Sequence, residues 1–159
     1  MDRSLRTPAG SALILRFERG GDVPVTILGG DAPRTVEAVG KLIPFSGMAY
    51  HSRWSGREVN AMIHTGERVP LENHTIQTAP GDVIYWREWE RDADDVSEAI
   101  AVYYGAELTR FHRGEQFVNV FGRVSQEHWD LLREIGERIW RQGGERLEIL
   151  WNASQEQAP

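Results

Sequence analysis

The chain has 159 residues, 40% of them hydrophobic and 26% charged, with 24 acidic against 18 basic side chains and a net charge of −6; that length fits one domain burying about 70% of its unfolded surface. The acidic balance speaks against sequence-independent nucleic-acid binding, which relies on a basic face. Zero cysteines exclude a disulfide framework and thiolate metal sites and fit a cytoplasmic protein, no apolar run approaches the roughly 20 residues of a membrane span, and the opening MDRSLRTPAG lacks the apolar core of a signal peptide.

One domain is expected over residues 11–151, between flexible tails at 1–10 and 152–159. Residues 11–18 (SALILRFE) and 23–28 (VPVTIL) read as strands joined at Gly20-Gly21-Asp22. Gly29-Gly30-Asp31 breaks the pattern, and Asp31 is placed to cap a helix over residues 32–43 in which Val36, Val39 and Ile43 share a face. The helix should end by Pro44. Residues 46–54 and 57–63 then alternate as two strands joined tightly at Ser55-Gly56. A loop is expected over residues 65–78, and Ala79-Pro80-Gly81-Asp82 is a strong turn signal before a strand at 83–89, VIYWREW. After an acidic loop at 91–97, strands are expected at 98–104, 107–112 and 116–124, the last two flanking Arg113-Gly114. Ser125 opens an amphipathic helix to residue 142, with Leu131, Leu132, Ile135 and Ile139 as its apolar stripe and Gly143-Gly144 as its stop. A short strand at 146–151 closes the pattern.

Seven or eight short strands with two helices predict a mainly β protein, a closed or nearly closed β-barrel capped by helices. The run Ala32-Pro33-Arg34-Thr35-Val36-Glu37 after the first hairpin resembles the helix start of the cyclophilin-like barrel. The segments PFSGMAYHSRWSGREV, ENHTIQTAPGDVIYW and AIAVYYGAELTR with FVNVFGRV are similar to a bacterial and archaeal family of small cyclophilin-like proteins of unknown function, itself distantly similar to cucumopine synthase-type proteins. Peptidyl-prolyl isomerases of this fold carry an F-H-R motif shortly after that helix. Phe111-His112-Arg113 lies far beyond it and reads as ordinary turn chemistry. The corresponding stretch, residues 49–54, keeps Arg53 but lacks the G-F-M-x-Q-G-G pattern that follows in isomerases, so isomerase activity is not expected.

The candidate site centres on Arg53, whose planar fork suits a carboxylate. On a strand it shares a face with His51, a candidate acid or base, while Tyr50 and Trp54 take the other face. The alternative for Arg53 is a structural ion pair with Glu58, Glu72 or Glu88. Glu88 is a second proton-transfer candidate. Tyr85 and Trp86, with Phe117 and Asn119 from a late strand, are candidate pocket walls, and Asn73 either contacts ligand or structures its loop. His51, His64, His74 and Glu88 lack the spacing of a histidine-carboxylate metal centre, and no metal or other cofactor is expected. The reading is a barrel that binds, and either does or does not convert, a small carboxylate-bearing molecule, compatible with a homodimer.

Overall fold

The computed structural model describes residues 12–152; the tail expected at 1–10 and all but the first residue of the tail expected at 152–159 lie outside them. Asn152, assigned to a tail, still donates its backbone N–H to the carbonyl of Ala12 at 2.9 Å. In chain order the elements begin with β1 (Ala12–Phe17), β2 (Asp22–Ile27), α1 (Pro33–Gly40), β3 (Phe45–His51), β4 (Glu58–Ile63), β5 (His74–Thr75), β6 (Gln77–Thr78), β7 (Asp82–Arg87) and β8 (Glu98–Tyr103). They continue with β9 (Glu107–Leu108), β10 (Arg110–Phe111), β11 (Gly114–Glu115), β12 (Val118–Arg123), a 3₁₀ turn at Gln126–His128, α2 (Trp129–Gln142) and β13 (Glu145–Trp151).

Eight strands close an antiparallel barrel in the order β2-β1-β13-β3-β4-β8-β7-β12. The seam is made by Gly122 opposite Ile27 and Arg123 opposite Thr26. The last strand, β13, is inserted between β1 and β3, with Leu15 opposite Ile149 and Leu147 opposite Gly47. Closure leaves no long edge among these strands to pair with another chain.

The interior is filled. Leu13, Leu15, Val23, Val25, Val59, Ala61, Val83, Tyr85, Ile100, Val102, Phe121 and Ile149 belong to one buried cluster, as strand alternation dictates. Leu132, Ile135 and Ile139 of α2 join it at the mouth formed by the β1–β2 turn and the ends of β3 and β8. At the opposite end α1 contributes Val36, Ala38 and Val39.

A smaller cluster, Ile84, Ala101, Tyr103, Val118 and Val120, lies on the outer face of the β8-β7-β12 wall. That wall is therefore apolar on both faces, and every residue of β8 is buried. The segment carrying β9, β10 and β11 covers it from outside.

Several boundaries differ from expectation. Strand β3 stops at His51 rather than residue 54, because the hydroxyl of Ser52 accepts the backbone N–H groups of Trp54 (3.1 Å) and Ser55 (2.8 Å) and turns the chain. Consequently β3 and β4 pair only at Tyr50–Asn60 and His51–Val59, and the tight two-residue hairpin expected there is a six-residue loop. The strands expected at 107–112 and 116–124 resolve into the short β9, β10 and β11 followed by β12. Asp31 does not cap α1. Its N-terminal position is Ala32, with no side-chain cap of its own. The Glu72 carboxylate reaches in instead and accepts the Thr35 N–H at 2.5 Å, supplying the charge that orphan helix donors favour. Likewise Ser125 precedes a 3₁₀ turn, and α2 starts at Trp129.

Candidate functional site

Alternation on β4 puts Val59, Ala61 and Ile63 into the barrel and leaves Glu58, Asn60 and Met62 on the outside. The same rule turns Ile84 and Trp86 of β7, and Ala99, Ala101 and Tyr103 of β8, outward. Together these residues floor a cleft of about 250 Å³ on the outer wall. Its remaining sides come from the 52–55 turn and from Thr109, Arg110, Phe111 and Gln116 of the covering arm.

The arm is held by specific bonds. The hydroxyl of Ser55 donates to the Arg110 carbonyl (2.6 Å) and accepts the Arg110 N–H (2.8 Å). Gln116 accepts from the Trp86 indole N–H at 3.2 Å and donates to Glu90 at 2.9 Å. At the base of the arm the Arg57 guanidinium donates to Glu107 at 2.5 Å. Gly56 sits directly beneath that pair with φ of +72°, where a Cβ would come within 2.5 Å of the Glu107 carboxylate and displace it; the left-handed backbone conformation favours glycine.

Glu58 is the chemical centre of the cleft. It is 7% exposed, and its oxygens accept from the Asn60 amide and from the Tyr103 hydroxyl, each at 2.9 Å. Burial pushes the carboxyl above its ordinary range, against hydrogen bonds from Asn60, Tyr103 and Ser55 that pull it down. Burial, followed by the charge of Glu58, pushes the Tyr103 phenol far up, so it remains a donor. Such a carboxyl can hold or surrender a proton to a bound molecule.

Two arginines, Arg53 and Arg110, line the same cleft, and neither guanidinium has a hydrogen-bond or ion-pair partner among the described residues. The alternative of a structural ion pair for Arg53 is not realised. Glu58 is held by Asn60 and Tyr103, Glu72 by Thr35, and Glu88 accepts from the backbone of Ser97. Aromatic rings complete the walls. Trp86 meets Phe111 with centroids 4.9 Å apart, Phe111 meets His112 at 4.1 Å, and His112 faces Trp54 at 6.5 Å.

Of the residues singled out from the sequence, His51, Arg53, Trp54 and Trp86 line the cleft, although Arg53 and Trp54 lie on the turn and not on the strand. His51 is also tied to the barrel mouth, pairing with the Tyr104 hydroxyl at 2.5 Å and packing edge-on against Trp140. Tyr50 faces away, its ring over Gly144. Tyr85 is fully buried inside the barrel and donates to Glu98 at 2.5 Å. Glu88 ends the outer wall outside the cleft, and its bond from Ser97 holds its carboxyl below the ordinary range. Phe117 packs edge-on against His74 outside the cleft.

Asn73 and Asn119 are engaged in hydrogen bonds within the fold. The Asn73 amide donates to the Val120 carbonyl at 2.8 Å from a left-handed backbone with φ of 45°. Buried Asn119 donates to Thr35 and to the Pro70 carbonyl and accepts the Glu72 N–H. The A-P-R-T-V-E and E-N-H-T motifs therefore meet in one network that fastens α1 to the barrel floor.

Sequence reasoning missed Glu58 as a site residue, together with Asn60, Tyr103, Arg110 and Gln116. The polar alternation of Glu58 and Asn60 against Val59 and Ala61 carried the signal. Phe111, assigned to plain turn chemistry, forms part of the aromatic wall, and His112 packs against it and Trp54. Among the described residues no group of three or more His, Cys, Asp or Glu side chains is placed to hold a metal ion, and no helix is long and apolar enough to cross a membrane.

Residues 17–150 match the model of a family described as "Protein of unknown function (DUF3830)". No curated protein matches the chain. Among solved structures it is similar to McbB in complex with tryptophan, with a TM-score of 0.67 and 17% identity over 87% of this chain. This chain spans 44% of that one. It is also similar to the hypothetical protein AF2241 from Archaeoglobus fulgidus, with a TM-score of 0.58, 21% identity and coverage of 91% of this chain and 97% of the other. At these identities the likeness is one of fold.

Proposed function

The chain belongs to this family of unknown function, and from the geometry of the outer cleft we propose that it binds a small carboxylate-bearing molecule there, in the cytoplasm. The observation that carries the reading is the pair of unpartnered guanidinium groups, Arg53 and Arg110, in one cleft of an otherwise acidic chain. Two planar cationic forks without protein acids are suited to a ligand's carboxylate. The apolar floor and aromatic walls provide the body of a small-molecule site. The complex of the structural neighbour McbB with tryptophan supports a small-molecule ligand. The hairpin, the APRTVE helix and the closed barrel support reading the fold as cyclophilin-like. Conversion of the ligand would fall to Glu58, the buried carboxyl that reaches it, rather than to Glu88.

A thermal-shift screen against small carboxylates tests the proposal. Saturation to about a hundredfold over Kd stabilises by about 2.7 kcal/mol, several degrees in Tm. The shift should shrink in Arg53→Ala and in Arg110→Ala and vanish in the double variant. A shift of undiminished size in the double variant would place the site elsewhere.

A further inference from the structure

Four carboxylates are buried among the described residues: Glu58, Asp82, Glu98 and Glu145. Three of them face a basic side chain. Asp82 has Arg123 at 3.5 Å, Glu98 has His64 at 3.6 Å, and Glu145 has Arg138 and Arg19 at 2.9 and 3.1 Å. Glu58 has none. Its two bonded partners, Asn60 and Tyr103, are neutral donors, and the arginines of the same cleft do not pair with it. A buried carboxylate without a cation is costly, whereas Arg53 and Arg110 stand exposed at the rim of the cleft without a protein acid among the described residues. The cleft thus sets a buried acid without a cation apart from two exposed arginines without an acid, beside the rings of Trp54, Trp86 and Phe111.

We infer that the ligand is an aromatic amino acid, bound with its ammonium on Glu58, its carboxylate on Arg53 and Arg110, and its ring against Trp54, Trp86 and Phe111. The inference rests on the carboxylate reading above and adds to it the amine and the planar body. Each ligand group then answers a group that the protein leaves unpaired. An ionised carboxylate offers about four lone-pair positions, so the bonds from Asn60 and Tyr103 leave room for an ammonium. Small residues at the floor, Ala99 and Ala101, keep the space under the rings open.

Matched ligand pairs test this with the intact chain. Tryptophan is compared with 3-(indol-3-yl)propionate, and phenylalanine with 3-phenylpropionate, by calorimetric titration near neutral pH. The members of each pair differ only in the amine. A buried site built for a charged donor should favour the amino acid by about tenfold or more, and Glu58→Gln should erase the preference while leaving the deaminated acid bound. Equal or tighter binding of the deaminated acid to the unaltered protein overturns the amine assignment. If that binding is still weakened in Arg53→Ala and lost in the double variant with Arg110→Ala, the carboxylate reading survives it. Binding of neither member of any pair overturns both. The comparison on the unaltered chain is decisive alone, so the amine assignment stands or falls even where Glu58→Gln does not fold.

Discussion

Glu58 and Glu145 are both buried acids, and their surroundings drive them in opposite directions. At Glu145 burial raises the carboxyl, but hydrogen bonds from Arg138 and from Arg19, and the charges behind them, outweigh it and leave the group below its ordinary range. A lowered native pKa adds stability above the ordinary carboxylate range that is lost as pH falls through the lowered value. Glu145→Gln should therefore lower Tm near neutral pH, by an amount equivalent to about 1.5–3 kcal/mol for bonds to charged groups, and should flatten the acid limb of a Tm-versus-pH curve. Glu58 has the reverse sign. Its raised native pKa means that its contribution is fully present below the ordinary carboxylate range and fades as pH rises through the raised value. Glu58→Gln should then raise Tm of the ligand-free protein at neutral pH and change it little in acid. Calorimetry across pH checks both, and a drop in Tm at neutral pH for Glu58→Gln would count against an uncompensated charge there.

At the scale of elements, α1 and the cleft are mechanically separate. Helix α1 is fastened by Thr35, Glu72 and Asn119, whereas the cleft is closed by the arm from β9 to β11 and the Ser55 clasp. Asn119→Ala leaves the Glu72 N–H, the Pro70 carbonyl and the Thr35 hydroxyl without that partner. It should cost about 1–3 kcal/mol in denaturant melts with carboxylate binding unchanged. Loss of binding in a folded Asn119→Ala protein would show that the two ends communicate. Both motifs that resembled the cyclophilin-like pattern were readable because they are local runs, yet their purpose was not. Asn119 meets them only because β12 passes under the helix, a contact across 84 residues. The turn after β3 misled for a similar reason. Alternation through Ser52, Arg53 and Trp54 is as good a strand pattern as that before it, and only the Ser52 hydroxyl, bonding its own backbone, ends the strand.

For the whole molecule, hydrophobic patterning was sufficient to predict a barrel with two helices, because the helices and most strands bury one face while β7 and β8 read as short apolar runs. It did not say which face was inside. The lumen is packed with Tyr85, Phe121 and the plug of α2, and the cleft lined by Arg53 lies on the outer wall. Phe121→Ala should accordingly behave as a pure core truncation, costing about 3–5 kcal/mol without altering ligand affinity at temperatures where the protein stays folded. A gain of ligand binding inside the barrel in that variant would instead reveal a latent second site.

The doubly apolar wall has a further consequence. In β4, β7, β8 and β12 two messages are interleaved with a period of two, one spelling the core and the other the cleft or its surroundings. Like a text read in frame, the wall tolerates replacement of single letters in the outer message without disturbing the inner one. A single inserted or deleted residue within those strands exchanges the two messages. Changes of length should therefore be survivable in a connection remote from the cleft, such as the acidic 91–97 loop, and lethal to fold and site together within the wall itself.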